Sequence, residues 1–240
     1  MTIAALCLFA MVTLAQKTIR VAAGKTDLVM QVSPKGRLYQ VYLGEKLQNA
    51  TDYDQLKWDV YAASDGAVCQ RGHEVCATSG AEDFFEPALA ITHADGNMTT
   101  YLYFQSVEQK PVEGGAETII TLADKEYPVT VKLHYVAYPK QSVIKAWSEV
   151  THKEKAPITL WRYASTMLYF KSAKYFVTTY HSDWAKEGQP ETTQLISGKK
   201  IVDTKLGTRA AMQEEPFFEL GFDAPARENE GRVMLGTIGW

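Results

Sequence analysis

The chain is poor in cysteine, in charge of one sign and in helical periodicity, and each shortage excludes something. Its 240 residues include only 3 Cys, and a chain of this length can build a packed core without depending on cross-links. Lys and Arg number 25 against 28 Asp and Glu, interspersed along the chain, for a formal net charge of -3. Without a basic stripe, no nucleic-acid partner is expected. No apolar run reaches the roughly 20 residues of a membrane-spanning helix, so no membrane span is expected. There is no low-complexity tract, internal repeat or linker. No segment longer than two turns carries a clean 3.6-residue apolar stripe.

Familiar catalytic templates are missing as well. No G-x-S-x-G occurs, hence no nucleophile elbow. His181-Ser182-Asp183 has the residue types of a hydrolytic triad, but neighbours in an extended chain point to opposite faces and cannot form a relay. Gly24-Lys25-Thr26 resembles the end of a phosphate loop, yet Ile19 stands where the earlier glycine is required. His73-Glu74 lacks a second His at zinc-protease spacing. His134 and His152 sit in or beside strand-like runs and read as structural.

What is present is apolar and aromatic. Hydrophobic residues make up 46%, with 13 Tyr, 9 Phe and 5 Trp, a composition suited to half-buried pleated surfaces. Val129, Val131, Leu133, Tyr135 and Ala137 alternate with Thr130, Lys132 and His134, which predicts a strand with one buried face and one wet face. Tyr101–Phe104, Thr118–Leu122, Ser142–Val150, Ile158–Met167 and Tyr175–Tyr180 are similar runs. Pro34-Lys35-Gly36, Asp95-Gly96-Asn97, Glu113-Gly114-Gly115 and Ser197-Gly198 supply reversals between them. Many short strands joined by such turns predict an all-β sandwich or barrel.

The two ends carry expectations of their own. Thr2 to Ala15 is almost wholly apolar and ends in Thr13-Leu14-Ala15. It reads as a signal segment over residues 1–15, with a mature domain over 16–240 and a secreted or periplasmic location; a buried first strand is the alternative. The run Gly231 to Trp240 is strongly apolar and stops mid-pattern, so more protein is expected beyond it. Cys7 would leave with the signal segment. Cys69 and Cys76 would form a small disulfide loop or stay as free thiols. A metal site using Cys69, His73 and Cys76 lacks a fourth ligand, and no metal is expected.

Paired carboxylates are the remaining candidate chemistry, because glycoside hydrolysis uses two. Glu82, Asp83 and Glu86 cluster in Ser79-Gly80-Ala81-Glu82-Asp83-Phe84-Phe85-Glu86-Pro87. Acids beside aromatics there could bond sugar hydroxyls and stack on a sugar face. Asp183 and Glu187 flank Trp184 and Lys186. From pattern alone, a solvated loop with local ion pairs is the favoured reading of either group.

Several stretches, taken in order, carry a family resemblance. They are Leu38-Tyr39-Gln40-Val41-Tyr42-Leu43-Gly44, Asp83-Phe84-Phe85-Glu86-Pro87-Ala88-Leu89, Leu133-His134-Tyr135 with Ala137-Tyr138-Pro139, and Arg162-Tyr163-Ala164-Ser165. Tyr180-His181-Ser182-Asp183-Trp184-Ala185-Lys186-Glu187 and Lys205-Leu206-Gly207-Thr208-Arg209 with Pro216-Phe217-Phe218 complete the set. From about Ile19 to Trp240 the sequence resembles the N-terminal domain of glycoside hydrolase family 36 α-galactosidases.

The resemblance implies a large antiparallel β-supersandwich, followed in the parent protein by a catalytic (β/α)₈ barrel that this chain does not contain. It implies retaining hydrolysis of terminal α-galactosyl groups by two carboxylates of that barrel, with no cofactor. α-N-acetylgalactosaminide activity also occurs in the family. Implied partners are an α-galactoside carbohydrate, the chain's own C-terminal barrel, and copies of itself in a homo-oligomer, a tetramer in some relatives. In those tetramers a loop of this domain reaches a neighbour's active site, and Asp83 and Phe84 match it as substrate-binding residues. Many members have Arg where this chain has Phe85. Trp184 and Arg209 are the implied contacts with the barrel, a core Trp and a surface-paired Arg being the alternative. A stand-alone carbohydrate-binding sandwich and a structural oligomerisation domain are the competing readings of the whole.

Overall fold

The structure is a computed structural model and describes residues 17–57, 73–80, 86–203 and 213–239. The signal-segment reading, Cys7 and Cys69 fall outside these residues. Among the described residues extended chain dominates: thirteen strands and one helical turn, α1 (Asp52–Gln55). Every pairing between two of these strands is antiparallel, so the expected all-β, antiparallel sandwich class is found. The chain divides after Tyr169 into two compact units.

The first unit contains three sheets. β1 (Lys17–Ala23), β2 (Thr26–Val32) and β3 (Leu38–Glu45) form a meander. β5 (Tyr103–Val112), β6 (Gly115–Ala123), β7 (Val129–Tyr138) and β8 (Val143–His152) form a second. β4 (Leu89–Thr92) pairs with β9 (Thr159–Tyr163) across the intervening meander. Alternation places Ile19 and Val21 of β1, Leu28, Met30 and Val32 of β2, and Ile120, Leu122, Val129, Val131, Leu133, Tyr135 and Ala137 of β6 and β7 in one buried cluster. Two sheets therefore bury facing apolar rows, the ordinary logic of a sandwich. Tyr101–Phe104 and Ile158–Met167 contribute less strand than their composition suggests, since β5 begins at Tyr103 and β9 ends at Tyr163.

Glycine ends the predicted reversals as expected. Gly36, Gly96, Gly114 and Gly198 all have positive φ. Gly115 has a different constraint: a Cβ there would lie 2.0 Å from the Ala137 carbonyl oxygen, so β6 and β7 approach closely only because the side chain is missing.

One expectation needs correction. The far face of β7 is not wet along its length. Lys132 is exposed, but His134 and Val136 are buried. Cross-strand neighbours cover them: Trp147 of β8 stacks on His134 with centroids 4.6 Å apart, and Glu117 of β6 bonds His134 Nδ1 at 2.7 Å.

The second unit is one sheet in the order β11-β10-β12-β13. Its strands are β10 (Tyr175–Asp183), β11 (Lys186–Leu195), β12 (Gln213–Phe222) and β13 (Val233–Thr237). β11 is polar and carries Pro190, and sequence periodicity gives it no strand signal. It sits at a sheet edge, where a missing N–H is tolerated.

Candidate functional site

The loop expected to meet substrate is the stretch from Ser79 to Pro87. Its centre, with Asp83, Phe84 and Phe85, lies outside the described residues, as does Arg209. What the structure shows is the frame that holds the loop's two ends. On the entering side, Thr78 pairs with Leu89, and Ser79 N donates to Leu89 O at 3.0 Å. Ser79 Oγ donates to Met98 O at 3.1 Å, and Thr100 N donates back to Ser79 O at 3.2 Å. Thr78, fully buried, donates its hydroxyl to Thr100 O. Gly80 then turns the chain with φ +76°, and an added Cβ would sit 2.6 Å from Thr99 Cα. Only glycine fits both the backbone angle and the space.

On the leaving side Glu86 pairs with Arg162 of β9. Ala88 N donates to Ala77 O at 2.8 Å, and Ala164 N donates to Ala88 O at 2.8 Å. The acid of the Glu82, Asp83, Glu86 group that is described is therefore a tether. Beside it, Trp161 is two-thirds exposed and donates its indole N–H to Thr92 Oγ1 at 2.8 Å. Leu160 and Tyr163 on the same strand are also exposed.

His93 organises the base of this frame. Its side chain is fully buried, with Nδ1 donating to Glu154 Oε1 at 2.8 Å. Nε2 lies 2.9 Å from Thr100 Oγ1 and 3.1 Å from Thr99 O. The ring stacks on Tyr127 at 3.6 Å. Glu154 Oε2 accepts from Ala94 N at 2.8 Å, so one carboxylate fixes the His93–Asn97 reversal and its histidine together. Sequence reading missed His93, because a His before Asp95-Gly96-Asn97 looks like an ordinary turn flank. Its remote partner, Glu154, is the informative residue.

In the second unit, Trp184 stands at the tip of the β10–β11 hairpin. It is 87% exposed, so it is not the core Trp that was the alternative. Ala185 beside it has φ 58° and closes the turn, and Asp183 Oδ1 accepts from Trp184 N at 2.7 Å. His181 and Ser182 diverge as expected of neighbours in a strand. His181 faces Glu191 at 2.8 Å and Glu214 at 3.2 Å, whereas Ser182 donates to Glu215 at 2.6 Å. No triad forms.

The buried or half-buried carboxylates are thus engaged with structural partners. Glu117 takes His134 at 2.7 Å and Lys110 at 2.9 Å. Glu219 accepts from the Tyr180 hydroxyl at 2.8 Å. No group of three His, Cys, Asp or Glu side chains among the described residues is placed to hold a metal. Cys76 is a buried free thiol, and burial pushes its pKa up to about 12, so at neutral pH it is a small apolar group rather than a nucleophile. No helix among the described residues is long and apolar enough to cross a membrane.

The structural acids set a pH response. Hydrogen bonds from His134 and Lys110 hold the Glu117 carboxyl below the usual range against its desolvation. Burial pushes Glu154 up, but hydrogen bonds from His93 and the Ala94 amide outweigh it and leave that carboxyl lowered too. A carboxyl with a depressed folded pKa adds stability above its unfolded value, about 4.3 for Glu, and loses it as pH falls through the folded value. The urea midpoint of unfolding, followed by circular dichroism, should therefore drop as pH falls below about 4.3. Glu117→Gln should make that drop shallower, and an identical pH profile would dismiss Glu117 as a contributor.

Comparison with known proteins follows the same lines as the fold. The model of the glycosyl hydrolase family 36 N-terminal domain matches residues 36–240. α-Galactosidase AgaA of Geobacillus stearothermophilus is 26% identical over 239 residues, covering 90% of this chain and 32% of AgaA. The bifunctional α-galactosidase/sucrose kinase AgaSK of Mediterraneibacter gnavus is 26% identical over 215 residues, 80% of this chain and 23% of that protein. The chain thus spans about a third or less of the length of these curated relatives. Among solved structures, a variant of G. stearothermophilus AgaA in complex with stachyose superposes with TM-score 0.76 at 24% identity, covering 90% of this chain and 33% of that one. With the match running across both compact units, the chain belongs to the glycosyl hydrolase family 36 N-terminal domain family.

Proposed function

We propose that this chain is the N-terminal domain of a retaining α-galactosidase, shaping the substrate pocket and an oligomer interface while a following (β/α)₈ barrel supplies both catalytic carboxylates. Family membership over residues 36–240 carries the reading. The names of the relatives support the activity, since AgaA and AgaSK are both α-galactosidases. Geometry supports the division of labour. Glu86, Glu117 and Glu154 are each held by a cationic or histidine partner, and a retaining site needs two carboxyl groups about 5 to 5.5 Å apart with the substrate between them. The framed Gly80–Glu86 loop presents Asp83 and Phe84 to the sugar. Trp184, exposed at its hairpin tip, is an anchor for the barrel, and Arg209 joins it in that contact.

Activity partitions accordingly. The full-length protein should cleave a nitrophenyl α-galactoside with retained anomeric configuration, read by NMR of the first-formed sugar. These 240 residues alone should leave it intact. Cleavage by this chain alone would return the catalytic acids to it, and a full-length protein inert toward α-galactosides would remove the substrate assignment.

A further inference from the structure

The outer face of the β5–β8 sheet carries a feature that the function proposed above does not use. Val112, Glu113, Glu117, Tyr138, Lys145 and Trp147 line a groove of about 410 Å³. The sheet puts these residues together by register. Glu117 of β6 faces Val136 of β7, which faces Lys145 of β8, while His134 faces Trp147 one step away. Glu117 is buried and fixed by His134 and by Lys110 of β5. Trp147 lies flat on His134, with 11° between the rings, and the Lys145 ammonium is 5.5 Å from its centroid. Three rotatable side chains are thereby held in one arrangement by contacts that do not depend on a ligand. His134 Nε2 is buried without a hydrogen-bond partner, and the nearest carboxylate, Glu149 Oε1, is 3.6 Å away.

We propose that this groove binds a neutral carbohydrate chain, separately from the pocket that receives the scissile galactosyl group. The charge balance selects the ligand class. Glu113 and Glu117 are offset by Lys110 and Lys145, so an anion or a cation gains little. Paired acceptors and donors at a fixed spacing suit hydroxyl groups, which need both. Two aromatic rings, Trp147 and Tyr138, give the apolar area that a sugar's C–H face covers. Convergent polar groups on a partly apolar concave lining are the usual build of a small-ligand site. The groove would hold a polysaccharide near the protein while another segment is processed.

Affinity electrophoresis of the full-length protein through gels containing galactomannan tests this, with 1-deoxygalactonojirimycin present to fill a galactosyl pocket. Retardation relative to a plain gel is expected. Trp147→Ala should raise the dissociation constant about tenfold, the loss of one ring contact. Should that variant lose its folded circular dichroism spectrum, Lys145→Ala decides, since Lys145 is exposed and its removal leaves the His134 stack alone; it should weaken retardation severalfold. Three results would overturn the proposal. They are no retardation of the parent protein, equal retardation of a folded variant, and retardation in polygalacturonate but not galactomannan. Hydrolysis of nitrophenyl α-galactoside is measured on the same samples, so an enzyme that cleaves but is not retarded separates this inference from the proposed function.

Discussion

On the proposed function, Asp83→Ala in the full-length protein raises KM for an α-galactoside by about ten- to a hundredfold, the range expected for hydrogen bonds from sugar hydroxyls to a charged acceptor. Turnover falls by much less. The reason lies in where the residue acts. The residues on either side of the Asp83 segment are pinned, Gly80 against Thr99 and Glu86 on Arg162, and on the proposed function the acids that make and break the glycosidic bond lie in the following barrel. An interaction equal in ground state and transition state changes KM and leaves kcat nearly untouched. Steady-state kinetics read the split directly. Equal KM in variant and parent would take the loop out of the substrate site; a loss confined to kcat would give Asp83 a role in the chemistry. Phe85 sharpens the expectation. The family resemblance implies Arg at this position in many members, whereas a phenyl ring can only pack, so on the proposed function polar recognition by this loop rests more heavily on Asp83.

His93→Ala lowers the unfolding free energy by about 3 kcal/mol or more, the cost of leaving a buried carboxylate without its hydrogen-bond partner and of emptying the space of a stacked ring. For a chain of this size that corresponds to a melting temperature lower by roughly 6 to 12 °C. The substitution strips the Glu154 carboxylate of a partner at 2.8 Å, unstacks Tyr127, and leaves Thr100 Oγ1 without its ring nitrogen. Thr100 also accepts from Thr78 and donates to Ser79, so the loosening reaches the Gly80 end of the loop. Thermal melts followed by circular dichroism measure the first effect. Limited proteolysis between residues 80 and 86 measures the second. A melt within a degree or two of the parent would show the His93 cluster to be dispensable to the frame.

Much of the architecture could be read in advance, and the parts that could not have a common cause. Strands such as β7 declare themselves because odd-numbered residues from Val129 to Ala137 enter one core. The reversals declare themselves because Gly36, Gly96, Gly114 and Gly198 stand where φ is positive. β11 stays hidden because an edge strand in contact with water needs no apolar alternation, and Lys186–Leu195 has none. The outer face of β7 departs from its alternation because periodicity counts His134 as polar, whereas its burial comes from Trp147 and Glu117 on the two neighbouring strands. His93 was missed for the same reason, its partner being 61 residues away. For the candidate site, the sequence offered Glu82, Asp83 and Glu86 as a cluster of acids, of which Glu86 alone is among the described residues. It did not show that Glu86 is tied to Arg162, because an ion pair between distant segments has no local signature.

The pairing of β4 with β9 has a consequence for the order in which the molecule assembles. β5 to β8 form a meander whose neighbours in space are neighbours in sequence, and such hairpins can close within microseconds. β4 and β9 flank that meander, with Leu89 registered against Tyr163, and must wait for it to bring their ends together, since closing a long loop costs entropy before any contact offsets it. The two short strands that carry the Gly80–Glu86 frame are then late to form and, by the same token, early to open. Everything through Tyr163 would have to be synthesised before Gly80 and Glu86, at the two sides of that frame, could be pinned.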